Sequence, residues 1–246
     1  MNSMKKWIGP VMILCCVAFG STPAAAYVTE GPCVDTDNSN LKVSGFLSSS
    51  EIDYDAESPG GDQDSEAERK IIGLTVTKRI NPEVDIYGSF GYLFDGTGDD
   101  HIDLDSGTFL SAGLRYMIHQ SGNLSYHLFG QLDYIIDEQY SESEDRIDYD
   151  FELEGFELSL GAAVRYQKDD RFSAFAGIMF VPVSDLSYDY KRTGNIHVDW
   201  DGDIERDDEF GLKFGANYLI DSQWSIGAEA DFISDKAFLV SVGRKF

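Results

Sequence analysis

The chain lacks the long apolar run that a membrane-spanning helix requires. A helix needs about 18–20 consecutive apolar residues to cross a bilayer, and the 246-residue sequence contains no such run after its first 26 residues. Helical membrane proteins are therefore excluded. If the rest of the chain lies in a membrane, it must cross as β-strands, because only helices and closed barrels satisfy every backbone hydrogen bond there.

Cysteine and positive charge are also scarce. Two of the three cysteines, Cys15 and Cys16, lie in an N-terminal segment that we expect to be removed, so Cys33 alone cannot form an intrachain disulfide. Without residues 1–26 the chain has 17 basic and 44 acidic residues, a net charge of −27. Such a surface repels nucleic acid and attracts cations. We therefore expect no nucleic-acid partner.

The N-terminal segment has the pattern of a secretory signal peptide. Lys5 and Lys6 precede a short apolar stretch over residues 7–19, and Ala24-Ala25-Ala26 provides a small-residue cleavage site. We predict a signal peptide over residues 1–26, a periplasmic leader over 27–40 and a single domain over 41–246.

The domain over residues 41–246 is built of segments in which apolar and polar or small residues alternate. Apolar residues recur with a period of two, which predicts β-strands with one apolar face. The last strand is an example, with Phe238, Val240 and Val242 leading to the terminal Phe246. Ten segments alternate or are suitably apolar: 41–55, 68–80, 83–95, 107–118, 124–137, 152–166, 171–184, 208–220, 223–233 and 236–246. Residues 171–184 are apolar in both phases, so their facing is left open.

The opposite phase of these segments carries glycines, hydroxyls and charges of both signs. Such residues cannot face lipid, but they fit a crowded polar lumen. We predict that the lumen charges either pair as a plug or line a narrow conduction path. They are Arg79, Arg115, Arg165, Lys213, Asp133, Glu157, Glu229 and Asp231.

The connections between the segments are asymmetric. Those after the second, fourth, sixth and eighth segments are short, whereas residues 57–67, 95–106, 138–151 and 185–207 form long acidic connections. Short turns on one side and long loops on the other are typical of outer-membrane barrels. The predicted fold is all-β, a transmembrane up-and-down antiparallel β-barrel of ten strands, with eight strands as the alternative. The predicted location is the bacterial outer membrane.

Residues 41–246 resemble the small bacterial outer-membrane β-barrels of the OmpA-transmembrane, Opa and OmpW kind. The resemblance rests on the signal peptide, the alternating pattern, the loop asymmetry and the terminal Phe246. It implies that Phe246 belongs to the signal read by the barrel assembly machinery. It also implies a surrounding of outer-membrane lipid and lipopolysaccharide. We expect a monomer.

Two acidic segments invite a metal hypothesis. Asp199, Asp201 and Asp203 have the 1-3-5 spacing of a calcium loop, although Ile204 stands where that loop needs glycine, and Asp100 lies in a glycine-rich acidic segment. These four residues are candidate ligands for weakly bound calcium; otherwise we expect no cofactor.

His101 and His197 also lie close to aspartates, as in the omptin proteases of ten strands, but their order differs from that family's pattern. We therefore expect no enzyme. The first functional hypothesis is a structural or surface-interaction barrel with acidic outer loops, the second a narrow pore for small solutes, and the third an omptin-like protease.

Overall fold

The structure is a computed structural model that describes residues 40–56, 63–97, 103–144, 147–193, 198–206, 209–233 and 235–246. The predicted signal peptide, most of the predicted leader, Asp100, His101 and His197 lie outside these ranges. The described part of the chain contains no helix long and apolar enough to cross a membrane.

Eleven strands account for nearly all described residues. They are β1 (Leu41–Ala56), β2 (Gln63–Asn81), β3 (Val84–Thr97), β4 (Asp103–Ser121), β5 (Leu124–Glu144), β6 (Ile147–Gln167), β7 (Phe172–Thr193), β8 (Val198–Arg206), β9 (Phe210–Leu219), β10 (Trp224–Ile233) and β11 (Asp235–Lys245).

The strands close into a ring. Each pairs antiparallel with its neighbour from β1 to β7, then β7 with β9, β9 with β10, and β10 with β11. Closure comes from β1 and β11, where Lys42 lies opposite Lys245 and the Phe246 amide donates to the Leu41 carbonyl at 2.9 Å. Ten strands therefore form the barrel wall, which confirms the predicted fold and strand number. A closed ring leaves no unpaired edge to the hydrocarbon.

The additional strand β8 lies within residues 185–207, which the sequence predicted to be a loop. It pairs with β7 and with the end of β1. Leu186 lies opposite Ile204 and Phe180 opposite Phe210, so β8 and β9 follow one line along β7. Above the short β10–β11 hairpin, β8 therefore joins β7 to β1.

The other three predicted loops are also shorter than expected. In the β5–β6 hairpin, pairing continues from Glu138 opposite Leu153 to Glu144 opposite Ile147. The pairing of β1 with β2 reaches Gln63, and that of β3 with β4 reaches Asp103. The acidic composition of these segments led us to predict loops. Outside the membrane, however, carboxylates can remain solvated on a paired strand, because the backbone hydrogen bonds continue without them. We call the parts of residues 57–67, 95–106, 138–151 and 185–207 that continue the strand pairings, including β7 with β8, the acidic hairpins.

The facing of the strands follows the predicted phases. Large apolar side chains of the lipid-facing phase are 37–64% exposed, and the opposite phase is mostly buried. The exposed aromatics include Tyr116, Tyr166, Tyr218 and Trp224 toward the short-turn end and Tyr92, Phe94 and Tyr134 toward the other end, as expected for two interfacial girdles.

The structure resolves the facing of residues 171–184. Phe175, Met179 and Val181 point inward, whereas Ile178 and Phe180 point outward. The β6–β7 register then shifts, so that the buried residues beyond the shift are at even positions, Leu186 and Tyr188. A bulge inserts one residue and exchanges the faces, which explains why neither phase dominated in the sequence.

Candidate functional site in the barrel lumen

All eight predicted lumen charges point into the barrel. Seven are buried and Arg79 is 12% exposed in its side chain. They come from strands β2, β4, β5, β6, β9 and β10, so the closed ring gathers residues that are far apart in the sequence.

A buried ion triad joins β9 and β10. Lys213 Nζ donates hydrogen bonds of 2.7 Å to Glu229 Oε1 and 2.7 Å to Asp231 Oδ2. The register explains this geometry, because Asp231 lies directly opposite Lys213 and Glu229 lies opposite the small Gly215. A buried ammonium is tolerated when carboxylates pair with it. Each charge of the triad is therefore compensated by an opposite charge, and the pairing links β9 to β10.

A second network crosses three strands. Tyr87 Oη donates to Gln131 Oε1 at 2.6 Å, and Gln131 Nε2 donates to both oxygens of Asp133 at 2.8 and 2.9 Å. The guanidinium of Arg115 lies 4.4 Å from the centre of the Tyr87 ring. Tyr87 can reach over β4 to Gln131 on β5 because Gly113 has no side chain, and a Cβ there would lie 2.2 Å from Tyr87 Cζ.

Two carboxylates lie side by side at the edge of this network. Asp133 on β5 is directly opposite Glu157 on β6. Ser184 Oγ donates to Glu157 Oε1 at 3.0 Å, and Gln131 donates to Asp133. Hydrogen bonds of this kind offset part of the repulsion between neighbouring acids.

An apolar layer lies on the outer side of these networks. Ile135 follows Asp133 at the next inward position of β5, and Phe109 precedes Ser111 on β4. We call this layer the apolar cap; its members are at most 2% exposed and are Ile71, Leu93, Phe109, Ile135, Leu153 and Leu186. The sequence interpretation missed the cap because its residues lie in the inward phase, which otherwise carries glycines and charged residues. Their large apolar side chains in that phase could have indicated an apolar layer inside the barrel.

The remaining lumen charges lie at the short-turn end. Arg79 Nε is 3.3 Å from Asp85 Oδ1, its cross-strand neighbour. Arg165 lies opposite Ser125, whose Oγ is 2.7 Å from His127 Nε2. Both side chains of this Ser–His pair are buried on the inner face of the wall.

One small recess lies in the described part of the lumen. Around Glu229, between Phe175, Asn217 and Leu239, about 160 Å³ is empty. Ligand pockets for small molecules usually have about 300–1,000 Å³, so this recess does not accommodate such a ligand.

The calcium candidates lie on an extended backbone. Asp199, Asp201 and Asp203 belong to β8, and the backbone of an extended strand advances about 6.6–6.8 Å over two residues instead of forming the curve of a calcium loop. Within the described residues, no group of three or more His, Cys, Asp or Glu side chains is arranged to hold a metal ion. Asp100 lies outside the described ranges. Weak calcium binding stays a prediction.

Comparison with known families decides the class of the protein. The sequence profile of the outer membrane protein beta-barrel domain matches residues 83–246, two thirds of the chain. The chain belongs to this family. The match begins before β3, and β1 and β2 complete the same closed ring. No curated protein matches the chain.

Solved structures share the fold at low sequence identity. The outer membrane protease OmpT of Escherichia coli is 10% identical with a TM-score of 0.55, covering 87% of this chain and 99% of OmpT. The translocator domain of the autotransporter NalP of Neisseria meningitidis is 12% identical with a TM-score of 0.47, covering 86% of this chain and 90% of its own. An outer membrane channel of Pseudomonas putida F1 is 12% identical with a TM-score of 0.46, covering 89% of this chain and 100% of its own. The likeness to OmpT shows the fold alone.

Proposed function

We propose that this outer-membrane barrel is a closed surface protein with a structural or interaction role, acting as a monomer. The observation that carries the proposal is the packed lumen. The Lys213 triad and the Tyr87–Gln131–Asp133 network fill its middle, and the apolar cap covers their outer side. A barrel of about eight strands is just filled by its own side chains, and ten strands leave little more space. The proposal includes no catalysis.

Single-channel recording tests this proposal against the narrow pore. The refolded protein is inserted into planar bilayers with and without calcium. We expect no steady open level under either condition. A steady open level in the wild-type protein would contradict the closed barrel and favour the pore for small solutes.

The acidic hairpins supply the interaction surface in this proposal. Among the described side chains, Asp95, Asp150, Asp189 and Asp201 are exposed along them. Asp189 on β7 is directly opposite Asp201 on β8. Like charges in direct opposition are destabilising, so a divalent cation between them would stabilise the hairpin. We expect weak binding, at about millimolar calcium, and bridging from the hairpins to the phosphates of lipopolysaccharide.

Limited proteolysis measures this cation effect. Millimolar calcium should slow cleavage within residues 185–207 of the wild-type protein. Replacing Asp199, Asp201 and Asp203 together with Asn should remove that protection while the barrel stays folded. Equal cleavage of the wild-type protein with and without calcium would contradict calcium binding and would leave the acidic hairpins as an ordinary solvated surface.

The carboxyl-terminal strand is the proposed contact with the assembly machinery. Phe246 is exposed on the lipid side, and the guanidinium of Arg244 lies 5.0 Å from its ring centre. Deleting Phe246 should lower the amount of protein in the outer membrane while the refolded barrel keeps its stability. Wild-type levels of the deleted chain would contradict this role.

A further inference from the structure

A cation lies beside two aromatic rings on the outer face of the barrel, at its short-turn end. The guanidinium carbon of Arg244 is 5.0 Å from the centre of the Phe246 ring and 5.6 Å from that of the Trp224 ring. Arg244 on β11 is directly opposite Trp224 on β10, and Phe246 follows on the same face of the chain. A cation within about 6 Å of an aromatic ring centre is attracted to the ring, so the two rings hold the guanidinium at the rim of the wall.

The three side chains face away from the lumen. Trp224 is 41% exposed and Phe246 is 64% exposed, and Arg244 is exposed as well. Their neighbours in the opposite phase of β11, Gly243 and Lys245, are buried. The short-turn end of an outer-membrane barrel faces the periplasm. Outward residues at this end therefore lie in the headgroup region of the periplasmic leaflet.

Within the described residues, the polar atoms of this group have no protein acceptor. Neither the Arg244 guanidinium nor the Trp224 indole N–H makes a hydrogen bond or an ion pair there. The neighbouring carboxylate of Asp221 accepts from the amides of Gln223 and Trp224 in its own turn. An arginine carries five N–H donors and an indole carries one, so the group presents hydrogen-bond donors to the lipid headgroups.

A second outward cation lies across the closure of the ring. Lys78 on β2 is exposed and is opposite Leu41 on β1, whose carbonyl accepts from the Phe246 amide. Arg244 is opposite Val43, two residues further along β1. The backbones of Lys78 and Arg244 are therefore two strand spacings, about 9.6 Å, and two residues, about 6.8 Å, apart. Both side chains are long, so they can approach one headgroup over Leu41 from two sides.

We propose that these residues bind the headgroup of an anionic phospholipid in the periplasmic leaflet. We call this set the lipid site: Leu41, Lys78, Trp224, Arg244 and Phe246. The Arg244 guanidinium and the Trp224 indole donate to the phosphate oxygens, and Lys78 adds a second positive charge.

Charge complementarity and position select the occupant of the lipid site. Neither cation has a carboxylate partner within the described residues, so the site favours a lipid with a net negative charge over a zwitterionic one. The aromatic rings and Leu41 contact the upper parts of the acyl chains, as interfacial apolar side chains do. A free phosphate would lack those contacts, and we therefore assign the site to a lipid.

Fluorescence quenching by brominated lipid measures this preference at Trp224 itself. Trp200→Phe leaves Trp224 as the only tryptophan of residues 27–246. This protein is reconstituted in mixtures of brominated phosphatidylcholine and unbrominated phosphatidylglycerol, and a lipid that binds beside Trp224 displaces the quencher. We expect phosphatidylglycerol to bind about fivefold more tightly than phosphatidylcholine, the equivalent of about 1 kcal/mol. Arg244→Gln in the same background should lower this preference to about twofold or less.

The matched control is Arg171→Gln, which removes an exposed arginine at the same end of the barrel, in the turn before β7. It should leave the preference unchanged. Heat-dependent gel mobility shows whether each variant forms a closed barrel. If Arg244→Gln does not, Lys78→Gln is the second variant, and it should lower the preference about twofold, because an exposed charge is screened.

The proposal is overturned if the protein with Trp224 alone binds both lipids equally, or if a folded lipid-site variant keeps the full preference. It is also overturned if Arg171→Gln lowers the preference as much as Arg244→Gln does. Loss of the preference on adding soluble glycerol phosphate would overturn it as well, since that result would indicate a phosphate site that needs no acyl chains.

Discussion

The short-turn half and the outer half of this barrel have the same wall but contain different chemistry. The short-turn half gathers Lys42, Arg79 and Lys245 around buried hydroxyls. The outer half places the apolar cap above the carboxylates Asp133 and Glu157. Both halves alternate lipid-facing apolar residues with small or polar ones, so the outer face of the wall gives no indication of this difference.

The comparison teaches that alternation determines which side chains enter the lumen but not what they do there. In the outer half, large side chains exclude water, which strengthens the ionic contacts beneath them. In the short-turn half, the Lys42 side chain and the Ser44 hydroxyl fill the space over Gly243. Paired substitutions on the inner and outer faces of the wall can therefore separate the stability that comes from lumen packing from the stability of the wall itself.

The largest effect is expected from breaking the buried triad. Lys213→Met leaves Glu229 and Asp231 buried without their cation, at a cost of up to about 5 kcal/mol of unfolding free energy. Lys78→Met removes an exposed lysine on the outer face, and its effect should stay within about 0.5 kcal/mol. Denaturant unfolding in lipid vesicles measures both; equal losses would mean that the triad adds nothing specific.

Truncation within the apolar cap should come next. Phe109 is 0% exposed, so Phe109→Ala leaves a cavity and should reduce the unfolding free energy by about 3–4 kcal/mol. Phe90→Ala is the lipid-facing control, since Phe90 is 51% exposed and lipid can fill the space. The same unfolding titration gives both values, and a larger loss for Phe90→Ala would contradict a packed outer half.

Glycine substitutions, with a smaller expected effect, test whether Tyr87 must pass over Gly113 on β4 to reach Gln131 on β5. Gly113→Ala places a Cβ 2.2 Å from Tyr87 Cζ and should cost about 1–3 kcal/mol through overpacking. Gly88→Ala is the matched control, because the nearest atom to its added Cβ is the Ser111 carbonyl oxygen at 3.5 Å. Thermal unfolding of the two variants compares them, and identical midpoints would show that Tyr87 moves aside freely.

The smallest effect concerns the short turns. The amides of Gln223 and Trp224 donate to Asp221 Oδ1 and lower the pKa of this carboxyl, as the amides of Arg171 and Phe172 do for Asp169. A lowered folded-state pKa contributes stability above the unfolded value of about 3.9 that is lost as the pH falls through the folded-state pKa.

Asp221→Asn keeps the acceptor oxygen and removes the titration. Unfolding midpoints measured from pH 6 to pH 2 should therefore fall slightly less for this variant than for the wild-type protein. Parallel pH profiles of the two proteins would show that the turn carboxylate does not contribute.

The sequence predicted the barrel because lipid imposes a period of two on every strand. The outward residues, such as Leu74 and Phe214, and the eight lumen charges all followed from that single constraint. Long acidic segments were expected to be loops, since carboxylates seldom indicate strands. These segments form strands because each pairs with a neighbouring strand, and a local sequence pattern does not show that pairing.

The internal contacts were harder to predict because they join distant strands. Tyr87 and Gln131 are 44 residues apart, and they meet only after β3, β4 and β5 are in register. The bulge in β7 exchanges its two faces, which a strict alternation cannot represent. The close approach of the Lys42 stem and the Ser44 hydroxyl to Gly243 likewise requires the ring to close between β11 and β1.

Chemical labelling of the lumen tests the closed barrel most directly. Ser111 on β4 points inward near the cap, and Ser222 lies exposed in a turn. Each is replaced by cysteine in a Cys33→Ser background, and a charged methanethiosulfonate reagent is added to the folded protein in vesicles. We predict rapid labelling at position 222 and labelling at position 111 only after denaturation. Rapid labelling of the folded protein at position 111 would contradict a packed lumen.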